Sequence, residues 1–266
     1  MLNLSERLPA NVFCELINIR NKLRGKKHRL SVTEQGSVYR VSDGEHQLYI
    51  CRRNRHNRSK RGVIAGIEEL ARHYHLDLLN LGPSDLLIDC GANIGELGAW
   101  ARVHGLRYEA FEPEALEARC VDLNAFGGAP KTRRHALWNV DTTLRFFRKP
   151  GTADGSLIEF NEYEDVVEMP AKRLDHLDID VSGSRRVVLK IEAEGAEPEV
   201  LEGATGILAN VDYVTIDCGF ERGKERADTF AATNTFLADQ GFRMMKPNFK
   251  RMIMLYCNMD RVSQVK

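Results

Sequence analysis

Apolar and polar positions follow two rhythms along this chain, and the switch from one to the other marks most of its elements. Leu86-Leu87-Ile88 is a short apolar run that stops at Asp89. The turn-forming positions Gly91, Asn93 and Gly95 follow, and then an amphipathic stretch from Leu97 to Val103. That order predicts a buried strand, a tight turn and a helix. Similar runs predict strands at 86–90, 107–112, 133–137, 187–192 and 211–217. Helical spacing near 95–104, 114–125, 197–208 and 225–240 falls between them. Strands that alternate with helices imply a largely parallel sheet with crossover connections. Pro198 falls in the first turn of its helix, where a missing N–H is harmless. The final stretch predicts two more strands, 242–245 and 252–257, joined through Lys246-Pro247-Asn248.

Two regions break this rhythm. Between about 141 and 172, Leu144–Phe147, Ser156–Phe160 and Val166–Met169 predict short strands, with Pro150-Gly151 and Asp154-Gly155 as turns. Such a β-rich insertion after the third strand belongs near the carboxyl edge of the sheet, where ligands bind. The other region is residues 1–80, an α+β extension preceding the main domain at 81–266. Its first helix, from Ser5 to Leu23, carries Leu8, Val12, Leu16, Ile19 and Leu23 on one face, the expected buried one. Strands at 30–34, 37–42 and 46–51, with a turn at Asp43-Gly44, and a helix at 63–80 complete it.

Composition narrows the possibilities. The chain has 266 residues, 43% of them hydrophobic, enough for one full core and an extension. Its 38 basic and 38 acidic residues cancel, which argues against nucleic acid as a partner. Six scattered cysteines without a Cys-x-x-Cys pair read as reduced thiols. Together with charges at Glu6, Arg7, Glu15 and Arg20 and no long apolar run, they lead to an expectation of a cytoplasmic protein. Charge is concentrated in one place: Arg52 to Arg61 holds six cations in ten residues, five of them arginine. This run reads either as a solvated loop or as a site for a phosphate-linked sugar or acidic membrane headgroups.

The turn carries the first chemistry. Gly91, Asn93 and Gly95 let backbone approach a nucleotide-like ligand. Glu112, at the end of the next strand, offers a carboxylate to ribose hydroxyls. A dinucleotide fingerprint needs a glycine at position 93, and Asp89 and Glu96 would repel a pyrophosphate. These two acids suit a ligand bearing an ammonium or sulfonium charge, which is S-adenosylmethionine. Trp138, after the third strand, is placed to cover an adenine ring.

Asp89-Cys-Gly-Ala-Asn-Ile-Gly95, Phe111-Glu-Pro-Glu114 and Leu189-Lys-Ile-Glu-Ala-Glu-Gly-Ala-Glu197 together resemble the FkbM family of S-adenosylmethionine-dependent O-methyltransferases. The resemblance runs from about Leu86 to Asp217. It implies a Rossmann-like class I methyltransferase with a largely parallel seven-stranded sheet, plus the N-terminal extension. The chain departs from the family at Glu192, where Asp is usual, and at Glu96, where an aromatic residue is frequent. Lys190, Glu192 and Glu194 come to the carboxyl edge beside the cofactor turn, as does Asp217 from the next strand. Glu192 or Glu194 is the candidate base or acceptor-orienting group, Lys190 the candidate partner that lowers a carboxylate pKa, and Asp217 a further candidate. Glu197 reads as a helix-capping acid. The resemblance requires no metal, although the acids of these adjacent strands could also hold a divalent cation through oxygen. The resemblance implies a hydroxyl acceptor on a sugar of a glycan or glycolipid, or alternatively on a polyketide or other secondary metabolite. A different reading is a non-catalytic nucleotide-binding module.

Overall fold

In the computed structural model, which describes residues 8–33, 37–149, 151 and 155–262, the N-terminal part is a helix on a small sheet. Helix α1 (Ala10–Leu23) packs on the antiparallel strands β1 (Arg29–Thr33), β2 (Val38–Ser42) and β3 (Gln47–Ile50). A 3-10 helix, Arg53–Ser59, and helix α2 (Val63–His73) lead into the main domain. The ends of several predicted elements, at Ser5, Glu34, Pro150 and Asp154, lie outside the described residues.

The main sheet is built from β4 (Asp85–Cys90), β5 (Arg107–Phe111), β9 (Arg186–Ile191), β10 (Tyr213–Asp217), β11 (Phe242–Asn248) and β12 (Ile253–Asn258), in the order β11-β12-β10-β9-β4-β5. Strands β5, β4, β9 and β10 run parallel, and the last two are antiparallel. Around it lie α3 (Glu96–His104), α4 (Ala115–Ala125), α5 (Glu197–Glu202), α6 (Thr205–Leu208), α7 (Phe230–Asp239) and the terminal turn α8 (Met259–Val262). A separate three-stranded sheet joins β6 (Ala136–Leu137), β8 (Asp165–Lys172) and β7 (Thr142–Arg148).

The main sheet therefore has six strands where seven were expected. Only Arg133 of the expected strand 133–137 bridges to Phe111. Arg133-Arg134-His135 is too polar to extend a buried strand, and Ala136-Leu137 turns away to pair with β8. The strand expected at 156–160 is reduced to one bridge between Ser156 and Phe147. The Ser156 hydroxyl donates to the Glu194 carbonyl and accepts from the Ile158 N–H, which bends the chain out of the ladder. The single helix expected at 197–208 is two, α5 and α6. The last helix starts at Phe230 rather than near 225, with the Asp228 carboxylate accepting its first N–H.

Helix α1 buries the opposite face from the one its leucines suggested. Phe13, Cys14, Ile17 and Asn21 point inward, while Leu16, Ile19 and Leu23 are 52%, 59% and 83% exposed. Both faces are apolar, so periodicity could not choose. The Phe13 ring, packed edge-on to Tyr39 and under the Arg53 guanidinium, decides it. The extension is not packed on its own either. One continuous core runs from Phe13 and Val41 through Ile67 and Tyr74 to Leu87, Trp100 and Ile253.

Candidate active site

Parallel strands end together at their carboxyl edge, and there β4, β5 and β9 deliver the predicted motifs. A cleft of ≈ 680 Å³ opens among Gly91, Asn93, Phe111, Glu112, His135 and Leu137, and the insertion closes it with Phe146 and Ser156. Gly91, at φ +80°, lies so close to β9 that a Cβ would stand 1.9 Å from the Glu192 carbonyl oxygen. Gly95, at φ +77°, brings α3 against α4, where a Cβ would meet the Val121 Cα at 2.8 Å.

The turn's amides are not left for a ligand. Gly91 and Ala92 N–H both donate to the Phe111 carbonyl, Gly95 N–H to Ala92, and Asn93 N–H to Glu112 Oε2 at 2.8 Å. Glu114 N–H donates to the other Glu112 oxygen at 2.9 Å. Each Glu112 oxygen thus keeps a second lone pair, and Glu112 lines the cleft. Burial pushes the Glu112 carboxyl up to about 8, against those two backbone bonds. The buried Asn93 Oδ1 and His135 Nδ1, both on residues lining the cleft, have no hydrogen-bond partner among the described residues.

These features fit S-adenosylmethionine. Glu112 is placed for the ribose diol, Phe111, Leu137 and Phe146 for an adenine ring, and the orphaned Asn93 and His135 atoms for its polar edges. Trp138 lies outside the lining. Its carbonyl lies against Gly203, where a Cβ would come within 2.0 Å, so helix packing and not the ring fixes its place.

The two acids expected to face the cofactor's positive charge have protein cations instead. Lys190 Nζ, 2% exposed, stands 2.9 Å from Asp89 Oδ1 and donates to the Gly91 carbonyl at 2.7 Å. The Tyr108 hydroxyl donates to Asp89 Oδ2 at 2.7 Å. Glu96 pairs with Arg58 at 2.5 Å. Asp89 and Glu96 therefore each already have a protein cation as partner.

Lys190 also reaches Glu192 Oε2 at 3.2 Å, and the Tyr74 hydroxyl donates to that same oxygen at 2.7 Å. Burial alone would raise Glu192. The Lys190 charge and the Tyr74 bond outweigh it and hold the carboxyl below its usual range. Burial would lower Lys190, but Asp89 and Glu192 hold it above its normal value. Lys190 stays charged and Glu192 ionised, with Oε1 outside both contacts. Asp217 lines neither cleft. Burial, then Glu192's charge, pushes it up to about 7 despite a bond from the Gly219 N–H. Glu197 takes the N–H groups of Ala193 and Gly195 and the Thr229 hydroxyl, which shapes the loop that presents Glu194.

A second cleft, of ≈ 660 Å³, adjoins the first and shares Gly91, Asn93, Glu192 and Glu194 with it. Its far wall comes from the extension, with Arg55, Arg58 and Tyr74. Sequence reasoning missed Tyr74 and Tyr108. Tyr74 follows α2 and gave no signal, because only tertiary packing brings its hydroxyl to a carboxylate 118 residues away. The arginine run is not a solvated loop. Arg52 pairs with Glu117, Arg53 donates to the Tyr39 hydroxyl and the Leu8 carbonyl, and Arg58 pairs with Glu96. Tyr39 and Tyr163 pack against Phe13 and Phe147.

Among the described residues, no three His, Cys, Asp or Glu side chains gather as a metal site, and no helix is long and apolar enough to cross a membrane. No curated protein matches the chain. Among solved structures, it is similar to an S-adenosylmethionine-dependent methyltransferase from Aquifex aeolicus. The identity is 12%, with 72% of this chain and 95% of that one covered, at a TM-score of 0.40. Magnesium protoporphyrin IX methyltransferase from Synechocystis, solved with bound SAH, is 10% identical, with coverage of 76% and 86% at a TM-score of 0.42. A protein of the NADB-Rossmann superfamily from Streptococcus agalactiae is 11% identical, with coverage of 72% and 67% at 0.41. The methyltransferase FkbM domain matches residues 89–244, a span that takes in the glycine turn, Glu112 and the Lys190–Glu197 loop. The chain belongs to the FkbM family of S-adenosylmethionine-dependent methyltransferases.

Proposed function

We propose that this methyltransferase acts on a hydroxyl oxygen of a sugar in a glycan or glycolipid. The observation that carries this reading is the composition of the second cleft. Cations (Arg55, Arg58, Lys190, Arg251) and carboxylates (Asp89, Glu96, Glu192, Glu194, Glu221) line it with Tyr74 and Asn93, and Leu70, Leu97 and Ala92 are the apolar side chains. An apolar polyketide would desolvate Arg55, Arg251 and the Asn93 Oδ1 without giving them a hydrogen-bond partner, whereas a polyol can hydrogen-bond with them. The two clefts meet at Gly91, Asn93, Glu192 and Glu194, so a methyl group passing from one to the other crosses beside those residues.

Bound S-adenosylmethionine supplies an electrophilic methyl carbon on a sulfonium. The chain's task is to align an acceptor oxygen with it, exclude water and take the hydroxyl proton. Glu192 is held by Tyr74 and Lys190 through Oε2, which leaves Oε1 to accept a hydrogen bond from the hydroxyl. Its low pKa makes it a weak base towards a resting alcohol. An oxygen acquiring a methyl group becomes strongly acidic, so transfer to an ionised carboxylate late in the displacement is downhill. Lys190 remains the fixed counter-charge throughout.

The test is methyl transfer to sugar nucleotides, glycolipids and polyketides, with Glu192→Gln alongside. A sugar methyl ether should form, and the variant should lose turnover by roughly 10²-fold with cofactor affinity within about twofold. Normal turnover in both Glu192→Gln and Glu194→Gln, or methylation of the polyketides alone, refutes the reading.

A further inference from the structure

We propose that a third cleft, next to the acceptor cleft, binds a phosphoryl group carried by the acceptor. This inference rests on the acceptor reading above. The cleft is open to solvent and is lined by Arg58, Lys60, Arg61, His73, Glu69 and Arg251, among others. It shares Arg58, Leu70 and Arg251 with the acceptor cleft, so a ligand lying across that boundary spans from the cationic cleft to Glu192.

Two consecutive elements and one distant in sequence build this cleft. The arginine-rich 3-10 helix and the residues just after it provide Arg58, Lys60 and Arg61, and α2 provides His73. Arg251 comes from the turn between β11 and β12. Gly66 of α2 lies so close to the 3-10 helix that a Cβ would stand 2.8 Å from the Arg58 carbonyl, which fixes their spacing. The arginines of the run divide into two sets. Arg52, Arg53 and Arg58 have internal partners that pin the run to the protein. Arg55, Lys60, Arg61 and Arg251 make no ion pair among the described residues and line the two clefts. Glu69 is the one carboxylate on the third cleft's lining. Burial, then the Arg251 charge, holds His73 below its ordinary pKa, so it is a neutral hydrogen-bonding group there near neutral pH.

Unpaired cations converging from separate elements repel one another, and an anion of more than one charge relieves that repulsion. Guanidinium forks suit the oxygens of a phosphate or diphosphate, which can accept from Arg61 and Arg251 together while Arg55 reaches towards the sugar. The same chemistry belongs to a soluble sugar nucleotide and to a lipid-linked sugar diphosphate.

The experiment uses inorganic pyrophosphate, the intact enzyme and the Arg55→Ser/Arg251→Ser variant. Calorimetry at low salt should show pyrophosphate binding to the parent, weakened at least tenfold in the variant. A Lys22→Ser/Lys27→Ser variant, which removes two exposed cations elsewhere, should bind as the parent does. In kinetics on the parent, pyrophosphate should compete with the acceptor and not with S-adenosylmethionine. The Arg55/Arg251 variant should raise the KM of a phosphorylated acceptor about tenfold, and a Lys60→Ser/Arg61→Ser variant, which alters the third cleft and not the acceptor cleft, should raise it too while leaving that of the dephosphorylated glycoside unchanged. Running a sugar nucleotide against a sugar diphosphate lipid in vesicles identifies which source the cleft serves. Absent pyrophosphate binding, or equal binding by parent and Arg55/Arg251 variant, overturns the proposal even if sugars are methylated. Pyrophosphate binding without any sugar methylation leaves the anion site standing and removes the acceptor reading instead.

Discussion

Raising the pH should tighten binding of the cofactor's nucleoside half, with Glu112 as the responding group. Its carboxyl is buried, and burial pushes it up to about 8. A ribose diol donates hydrogen bonds, so it binds the ionised form. With that pKa the carboxylate is roughly one-tenth ionised at pH 7 and about nine-tenths at pH 9. Affinity should therefore rise about tenfold, or ~1.4 kcal/mol, with release of close to one proton on binding at pH 7. The ligand to use is 5′-methylthioadenosine, which shares the adenosine and lacks the titrating amino acid. Nearby groups should stay silent over this range. Burial holds His135 below its normal value and Cys90 above its own. Calorimetry in buffers of different ionisation enthalpy reads affinity and proton count together. Glu112→Gln should abolish the pH dependence and cost ~1.5–3 kcal/mol at pH 9, the worth of a charge-assisted bond. Flat affinity from pH 7 to 9, or a slope that survives in Glu112→Gln, would refute the assignment. The sign for stability is opposite. A carboxyl raised in the fold stabilises fully below its unfolded value near 4.5, and that contribution is lost as pH rises through about 8. The ligand-free protein should melt lower at pH 9 than at pH 6, and saturating ligand should shrink the difference.

Two further outcomes follow from the geometry. Lys190→Met should lower stability by roughly 3–5 kcal/mol, because Asp89 is left buried at 1% exposure without its counter-ion; chemical denaturation showing less than about 1 kcal/mol would mean that Asp89 is neutral in the fold. Gly91→Ala should abolish cofactor binding while Gly127→Ala, at a glycine whose Cβ would meet nothing within 4 Å, should not, as calorimetry on the two variants would show.

The local order of apolar runs, turns and polar spacers determined the α/β fold. A residue's neighbours in sequence set its strand or helix preference, and a strand that stops at an acid places that acid at the sheet's edge. Glu112 and the 190–197 loop were legible for that reason, and so was the glycine turn, since only a residue without a Cβ fits 1.9 Å from the Glu192 carbonyl. Pairing was not legible. That Asp89 faces Lys190 across neighbouring strands, Glu96 meets Arg58 and Glu192 meets Tyr74 depends on strand register and on where the extension docks. Neither is encoded by local pattern. The same limit explains α1, whose two apolar faces are equivalent until Phe13 meets Tyr39, and the strand at 133–137, whose charges end its pairing after one bridge. The arginine run shows both sides at once. Its composition announced a concentration of cations, but only the fold separates the arginines that pin the extension in place from those that line the clefts. Long-range contacts, not intrinsic preference, decide which charge finds a partner and which lines a cleft.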